Sequence, residues 1–300
     1  MNCTRLKPYV YKIKGAKNYA LYDLLKGNFY VVTPEGNVDE LKIALRKAGL
    51  TFETGGTVPF KTVIDLDQER ETVKIRELQI RLNGRAEDNC WNRHETAGRK
   101  GTMGEEVLQR LREQLASIPV KRVYMEAESS EPAKISFILS KFPFQEAVLF
   151  VKEGVKEAEA KRYAGLCLDR NVSFRLWAEG RRNVKELRVE IYDFFYSHYF
   201  NPCLGQQVAV DCGGEIRPCL WWQGKLGTIL RDDLLDMIVA GIFDPYWELN
   251  RDKIEGCRDC ELRYACPDCR VGRGNEGKGE IYTGKPTFCT YNPYRGKEKW

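Results

Sequence analysis

Eight cysteines crowd the last third of this 300-residue chain: Cys203, Cys212 and Cys219, then Cys257, Cys260, Cys266 and Cys269, and finally Cys289. A deprotonated thiol is a soft ligand, and the four in the run GCRDCELRYACPDCR cannot avoid one another in space, so they either oxidise or coordinate a metal. Eleven cysteines in all is an odd number, which rules out complete pairing, and a reducing compartment keeps thiols free. Structural zinc usually draws on two Cys-x2-Cys knuckles a dozen or more residues apart. Here five residues separate the knuckles. A cuboidal [4Fe–4S] cluster accepts sulfurs from a tight loop plus one remote thiol, which Cys289 can supply. The spacing favours iron–sulfur over zinc.

The elements that position these thiols fall into three expected regions of an α/β chain. Residues 1–58 read as a small α+β module: strand-like runs at Tyr9–Ile13 and Asn28–Val32 flank YALYDLLK, and Leu41, Ala44, Leu45 and Ala48 share one face of a helix ending at Gly49. The glycines and proline of FETGGTVPFK mark the first boundary. Residues 59–198 alternate strand-like and helix-like segments, the pattern of βαβ units and a parallel sheet, with only four or so units and therefore an open or partial barrel. Val107, Leu108, Leu111, Leu115 and Ile118 form the stripe that should lie on that sheet. VEIYDFFYSHYFNPC fits helix and strand equally. Residues 199–300 form the cysteine-rich region, expected to be held by metal more than by core.

Composition narrows the partners. The 48 basic and 43 acidic residues are mixed along the chain and leave a net charge of +5, with no stripe suited to a phosphate backbone, so nucleic acid is not expected. The basic N-terminal run MNCTRLKPYVYKIK is followed by no apolar stretch, and nothing approaches the roughly 20 apolar residues of a membrane span. A cytoplasmic protein with no membrane association is expected.

The stretch from CLGQQVAVDCGGEIRPC through CRDCELRYACPDC to Cys289, with Gly214-x4-Cys219 inside it, resembles the SPASM domain, the auxiliary-cluster module of many radical-SAM peptide-modifying enzymes. The resemblance covers residues 199–300 and implies two [4Fe–4S] clusters. One would be held by Cys203, Cys219 and Cys269 with a variable fourth ligand, and the other by Cys257, Cys260, Cys266 and Cys289. Cys212 is either that fourth ligand or a spare thiol in a turn. Two rather than three residues separate Cys266 from Cys269, a departure from the commonest form that could shift the first cluster or leave it incomplete.

Where a radical-SAM core carries Cys-x3-Cys-x2-Cys, this chain has Ala86, Cys90 and Arg93, so one thiolate remains of three. The Gly-Gly-Glu-Pro landmark appears as Ser129-Ser130-Glu131-Pro132. A cluster that presents a free iron to S-adenosylmethionine needs three cysteines, and side chains at Ser129 and Ser130 would crowd the backbone edge that meets the cofactor's methionine end. The expectation is a pseudo-radical-SAM core that neither binds nor cleaves S-adenosylmethionine.

The opening KIKGAKNYALYDLLKGNFYVV resembles the N-terminal region of grasp-with-SPASM maturation proteins, whose neighbours are an ATP-grasp ligase and a precursor peptide. The implied role is to bind a precursor peptide while a partner does the chemistry, a competent radical-SAM enzyme or an ATP-grasp ligase; the small module could hold a leader peptide along an exposed strand edge, or equally could serve as packing for the barrel's open side. Two alternatives differ in class: an enzyme acting through an open auxiliary cluster as redox centre or Lewis acid, and a zinc-stabilised interaction protein. No catalytic residue is assigned.

Other signals carry less. Gly272-x-Gly274-x-x-Gly277 follows a cysteine knuckle instead of a strand and reads as a loop. His94 and His198 are the only histidines, without a nucleophile pattern around them. Cys3 and Cys167 are not expected to be ligands, and Trp221 and Trp222 either shield a cluster or serve as core aromatics.

Overall fold

Alternation decides the architecture. In the strand Ile75–Arg81 and the residue after it, Leu78, Ile80 and Leu82 point one way and Glu77, Gln79 and Arg81 the other, because successive side chains of a strand face opposite sides. The computed structural model describes residues 3–34, 38–54, 66, 74–84, 101–151, 155–170, 172–177, 189–222, 224–270, 284–286 and 289–295.

At the N-terminal end, β1 (Cys3–Leu6) pairs antiparallel with β5 (Thr51–Thr54). Between them β2 (Val10–Lys14), β3 (Tyr19–Asp23) and β4 (Asn28–Val32) form an antiparallel meander, followed by α1 (Val38–Lys47). YALYD thus becomes the central strand. Its far end is fixed by Asp23, whose Oδ1 accepts the amides of Leu25 and Lys26, both at 3.2 Å, before the chain turns at Gly27, φ 70°. The α1 helix ends at Gly49, φ 71°, as expected. Its apolar face is shallow: Leu45 and Ala48 pack with Val10, Leu21 and Leu50, while Ala44 stays exposed.

The βα units follow: β6 (Ile75–Arg81), α2 (Glu105–Gln114), β7 (Val120–Ala127), α3 (Pro132–Lys141), β8 (Glu146–Val151), α4 (Glu157–Leu168) and β9 (Ser173–Trp177). Strands β6 to β9 lie side by side, all parallel. The stripe predicted on α2 is buried along its length, from Val107 to Ile118. The ambiguous aromatic segment is helix α5 (Ile191–Tyr199).

The cysteine-rich region extends this same sheet. Strand β10 (Gln207–Val210) runs parallel to β6 on its free side, and β11 (Glu215–Arg217) and β12 (Gly227–Thr228) continue antiparallel, giving the order β12-β11-β10-β6-β7-β8-β9. Val208, Val210, Ile216 and Ile229 enter the apolar core that Leu78, Ile80, Val123 and Met125 share with the helices. Helix α6 (Leu234–Val239) is pinned by the buried Gln114, which donates to the carbonyls of Ile229 and Asp232 and accepts the Leu234 amide at 2.8 Å. The chain is therefore α/β, with one parallel-rich seven-stranded sheet, helices packed on one face, and a cysteine-rich C-terminal region. Among the described residues no helix is long and apolar enough to cross a membrane.

Candidate metal centre

The other face of the sheet receives the cysteines. Tyr124 of β7, Phe150 of β8 and Ala209 of β10 form an apolar floor shared with Leu204, Leu220, Trp221, Trp222, Leu249 and Ile254, and Cys219, Cys257 and Cys269 are buried in the same cluster, with Cys203 against it. The turn carrying Cys219 is hydrogen-bonded to the sheet itself: the Leu220 amide donates to Gln79 Oε1 at 3.1 Å, and Arg81 donates to the Leu220 carbonyl at 3.3 Å. Trp221 and Trp222 are thus both core aromatics and the wall beside Cys219, with Trp222 edge-on to Tyr246 at 5.2 Å.

Among the cysteines whose side chains are described, Cys167 and the eight of the C-terminal region, no disulfide forms. Burial pushes the Cys219 thiol up to about 12, and the charge of Cys269 adds to it, while backbone hydrogen bonds from Trp221 and Trp222 favour its thiolate. Burial likewise pushes Cys257 up to about 12, with Asp268 and Cys266 raising it further and Arg270 opposing. Cys260 is pushed to about 12 by burial, with Glu261, Cys266 and Cys257 adding to the rise and a backbone hydrogen bond from Leu262 opposing it. Burial raises Cys289, and Cys266 raises it again.

As thiolates these cysteines would act on one another: Cys266 raises Cys257, Cys260 and Cys289, Cys257 raises Cys260, and Cys269 raises Cys219. Depth does not divide them, since Cys257 is buried over the sheet with Cys219 and Cys269, while Cys203, like Cys260, Cys266 and Cys289, is half-buried. Cys212 sits in the β10–β11 turn, where Asp211, Arg81 and Glu215 are the charges acting on it. Cys167 is buried on α4 as a core residue.

Several buried thiols that as thiolates would repel one another fit a positively charged centre that offsets that charge, and their all-sulfur character suits iron and sulfide. Among the described residues, no three His, Cys, Asp or Glu side chains converge on a single-ion position.

Three polar residues not singled out in the sequence hold the loops. Asn201, fully buried, accepts the amides of Cys203 and Leu204, each at 2.9 Å, the side-chain turn that an Asn-Pro-Cys run signals. Asp268 lies inside the shortened knuckle. Glu261 follows Cys260 and ties the knuckle to the N-terminal module: its carbonyl accepts the Tyr22 hydroxyl at 2.8 Å, and its carboxylate accepts Asn18 Nδ2 at 3.2 Å and the Tyr291 hydroxyl.

Just past the C-terminal end of β6, a depression of about 350 Å³ is lined by Asn83, Thr102, Glu128, Ser129 and Glu131. Asn83 Nδ2 donates to the Ser129 carbonyl at 3.1 Å, to its hydroxyl at 3.3 Å and to Glu131 at 3.0 Å, and Asn83 Oδ1 accepts the amides of Glu128 and Ser129. Ser130 reaches Glu159 at 3.5 Å, and Pro132 opens α3 in the first-turn position that suits proline. Ala86, Cys90, Arg93 and His94 lie outside the described residues, as do Gly272, Gly274 and Gly277. His198 is structural: its ring stacks on Tyr264 at 3.8 Å and its Nδ1 bonds the Phe194 carbonyl at 2.8 Å.

No protein-family model and no curated protein matches the chain. It is similar to solved structures of anSMEcpe with bound AdoMet, at 12% identity over 73% of this chain and 94% of that one, TM-score 0.37. A hexahistidine-tagged form of that protein, also with AdoMet, is 13% identical over 73% and 93%, TM-score 0.42. Streptococcus suis SuiB bound to precursor peptide SuiA is 11% identical over 96% of this chain and 100% of that one, TM-score 0.35.

Proposed function

We propose that this chain is an iron–sulfur protein of ribosomal peptide maturation, a SPASM-type protein that binds a precursor peptide and leaves bond-making to a cytoplasmic partner, a radical-SAM enzyme or an ATP-grasp ligase. Cys257, Cys260, Cys266 and Cys289 would hold one [4Fe–4S] cluster, and Cys203, Cys219 and Cys269 a second. Bound clusters supply electron-transfer or Lewis-acid capacity; the chain delivers buried sulfurs, backbone amides aimed at them, and an apolar wall that sets their potential. The observation that supports this reading is the gathering of Cys203, Cys219, Cys257 and Cys269 in one apolar cluster over the sheet, with Cys266 acting on the charge of Cys257, Cys260 and Cys289; the division into two ligand sets is what the SPASM resemblance implies.

The βα region is read as unable to cleave S-adenosylmethionine. What supports this is Asn83, whose side-chain amide already occupies the carbonyl of Ser129 and the amides of Glu128 and Ser129 at the strand end where such a cofactor's methionine would bind. The N-terminal meander is read as the peptide-binding module.

A second reading has one observation of its own. The set that the resemblance implies around Cys219 has three cysteines, and all three lie in or against one apolar cluster, so an iron there with a free position could take a substrate thiol or carboxylate. Added ligands would then perturb the spectrum of the reduced protein.

The test is metal and acid-labile sulfide analysis of anaerobically purified protein with its visible spectrum, followed by incubation of reduced protein with S-adenosylmethionine. Iron with matching sulfide and a charge-transfer band is expected, and no turnover-level 5′-deoxyadenosine. Zinc without iron or sulfide overturns the cluster assignment, and 5′-deoxyadenosine at turnover level overturns the degenerate core.

A further inference from the structure

The chain passes from Cys266, in the set that Cys257, Cys260 and Cys289 would complete, to Cys269, in the set with Cys203 and Cys219, through only Pro267 and Asp268. Asp268 is fully buried and adopts φ 20°, at the edge of the left-handed region, which lets the shortened knuckle turn. Its Oδ1 accepts Nε of Arg270 at 2.8 Å and a second guanidinium nitrogen at 2.5 Å. Its Oδ2 accepts Asn201 Nδ2 at 3.0 Å.

Both partners reach further. Asn201 Oδ1 caps the Cys203 turn of the Cys219 set, and Asn201 Nδ2 also donates to the Leu249 carbonyl at 2.9 Å. Arg270, fully buried, donates to the Gly284 carbonyl at 3.2 Å, in the segment that leads to Cys289 of the Cys257 set. One water-excluded polar chain therefore touches the backbone beside ligands of both sets. A buried carboxylate that loses one partner is left with an uncompensated charge, so such a chain is either wholly formed or broken as a unit.

We propose that the Asn201–Asp268–Arg270 chain couples the two thiol sets, so that they load and lose their metal together; this rests on the iron–sulfur reading above. These are positioning residues: they touch no reacting atom and act through the ligand loops.

The experiment uses the full chain, loaded anaerobically with iron and sulfide, with a chelator added and iron release followed alongside the reduced-state electron paramagnetic resonance signal of each set. The native protein is expected to release both sets in one phase. Asp268→Asn, isosteric but uncharged, and Asn201→Ser, which keeps an oxygen for the Cys203 turn but cannot reach Asp268, should each give two phases, the faster roughly 10- to 100-fold quicker than native. Cys203→Ser should lower iron at both sets in the native background and only at its own set beside Asp268→Asn. Two-phase release from the native protein, or a Cys203→Ser variant whose Cys257 set is full, overturns the coupling and leaves the cluster assignment standing. A native chain that takes up no iron and sulfide overturns both.

Discussion

Asn83 holds both backbone groups of one residue: its Nδ2 donates to the carbonyl of Ser129 and its Oδ1 accepts the amide of the same residue, at 3.1 and 3.3 Å. The same oxygen takes the Glu128 amide at 2.7 Å, so the turn between β7 and α3 is organised by a side chain from the end of β6. Asn83→Ala removes all of these bonds at a buried position and should destabilise the protein by about 1–3 kcal/mol. The urea midpoint checks it. An unchanged midpoint would mean that water substitutes for the amide.

The β2–β3 turn is seated on the cysteine knuckle. The Ala16 amide donates to the Asp259 carbonyl at 2.8 Å, and a Cβ built on Gly15 would stand 2.8 Å from the Glu261 amide nitrogen and 3.0 Å from its Cβ. Gly15→Ala must therefore push the hairpin off the backbone that carries Cys260, at a cost of about 1–3 kcal/mol as an overpacking change. Hydrogen exchange should rise in residues 10–23 and 257–266 together. Lys17→Ala, in the exposed part of the same turn, should leave both segments at native protection.

How much of this was legible beforehand differs by element. The βα order could be read because Leu78, Ile80, Val123 and Met125 alternate in short apolar strands and the α2 stripe repeats at helical spacing. Helix α5 could not, since IYDFFYSHY is rich in residues that favour strands; burial of Phe194, Phe195 and Tyr196, with Tyr11 and Tyr22 packed on Phe194 at 5.1 and 5.2 Å, decides it. Nor did turn-rich CLGQQVAVDCGG announce that β10 would join β6, with Gln207 in register with Glu77, a non-local pairing no window of sequence contains. Thiol spacing pointed to the candidate centre, whereas Asn201 and Asp268 meet across 67 residues and become visible only in three dimensions.

Arg81 and Glu126 are register neighbours on β6 and β7 and form a buried pair at 3.8 Å, with side chains 1% and 2% exposed. Removing one member takes a compensating charge from the other in a place water does not reach. Arg81→Met should cost roughly 3–5 kcal/mol, and adding Glu126→Leu should recover much of it, because the pair as a whole is worth far less than either member alone. Denaturant midpoints of the two single variants and the double measure the recovery. Additive losses would show that each residue acts through other partners, Arg81 through the Leu220 carbonyl first among them.

His198 gives the fold a dependence on pH whose sign is fixed by its surroundings. Burial holds the imidazole below its ordinary value; the hydrogen bond to the Phe194 carbonyl and the charge of Asp252 raise it in part, and Arg263 lowers it. A histidine whose pKa is lower folded than unfolded binds more protons in the unfolded chain, so stability rises with pH across the window between the two. The contribution is complete above the unfolded value of about 6.5 and is lost as pH falls below it. Urea midpoints of the native protein should therefore decline between pH 7.5 and 5.5 more steeply than those of His198→Phe, which keeps a ring against Tyr264 but does not titrate. Parallel declines in the two proteins would assign the acid sensitivity to other groups and leave His198 with a packing role alone.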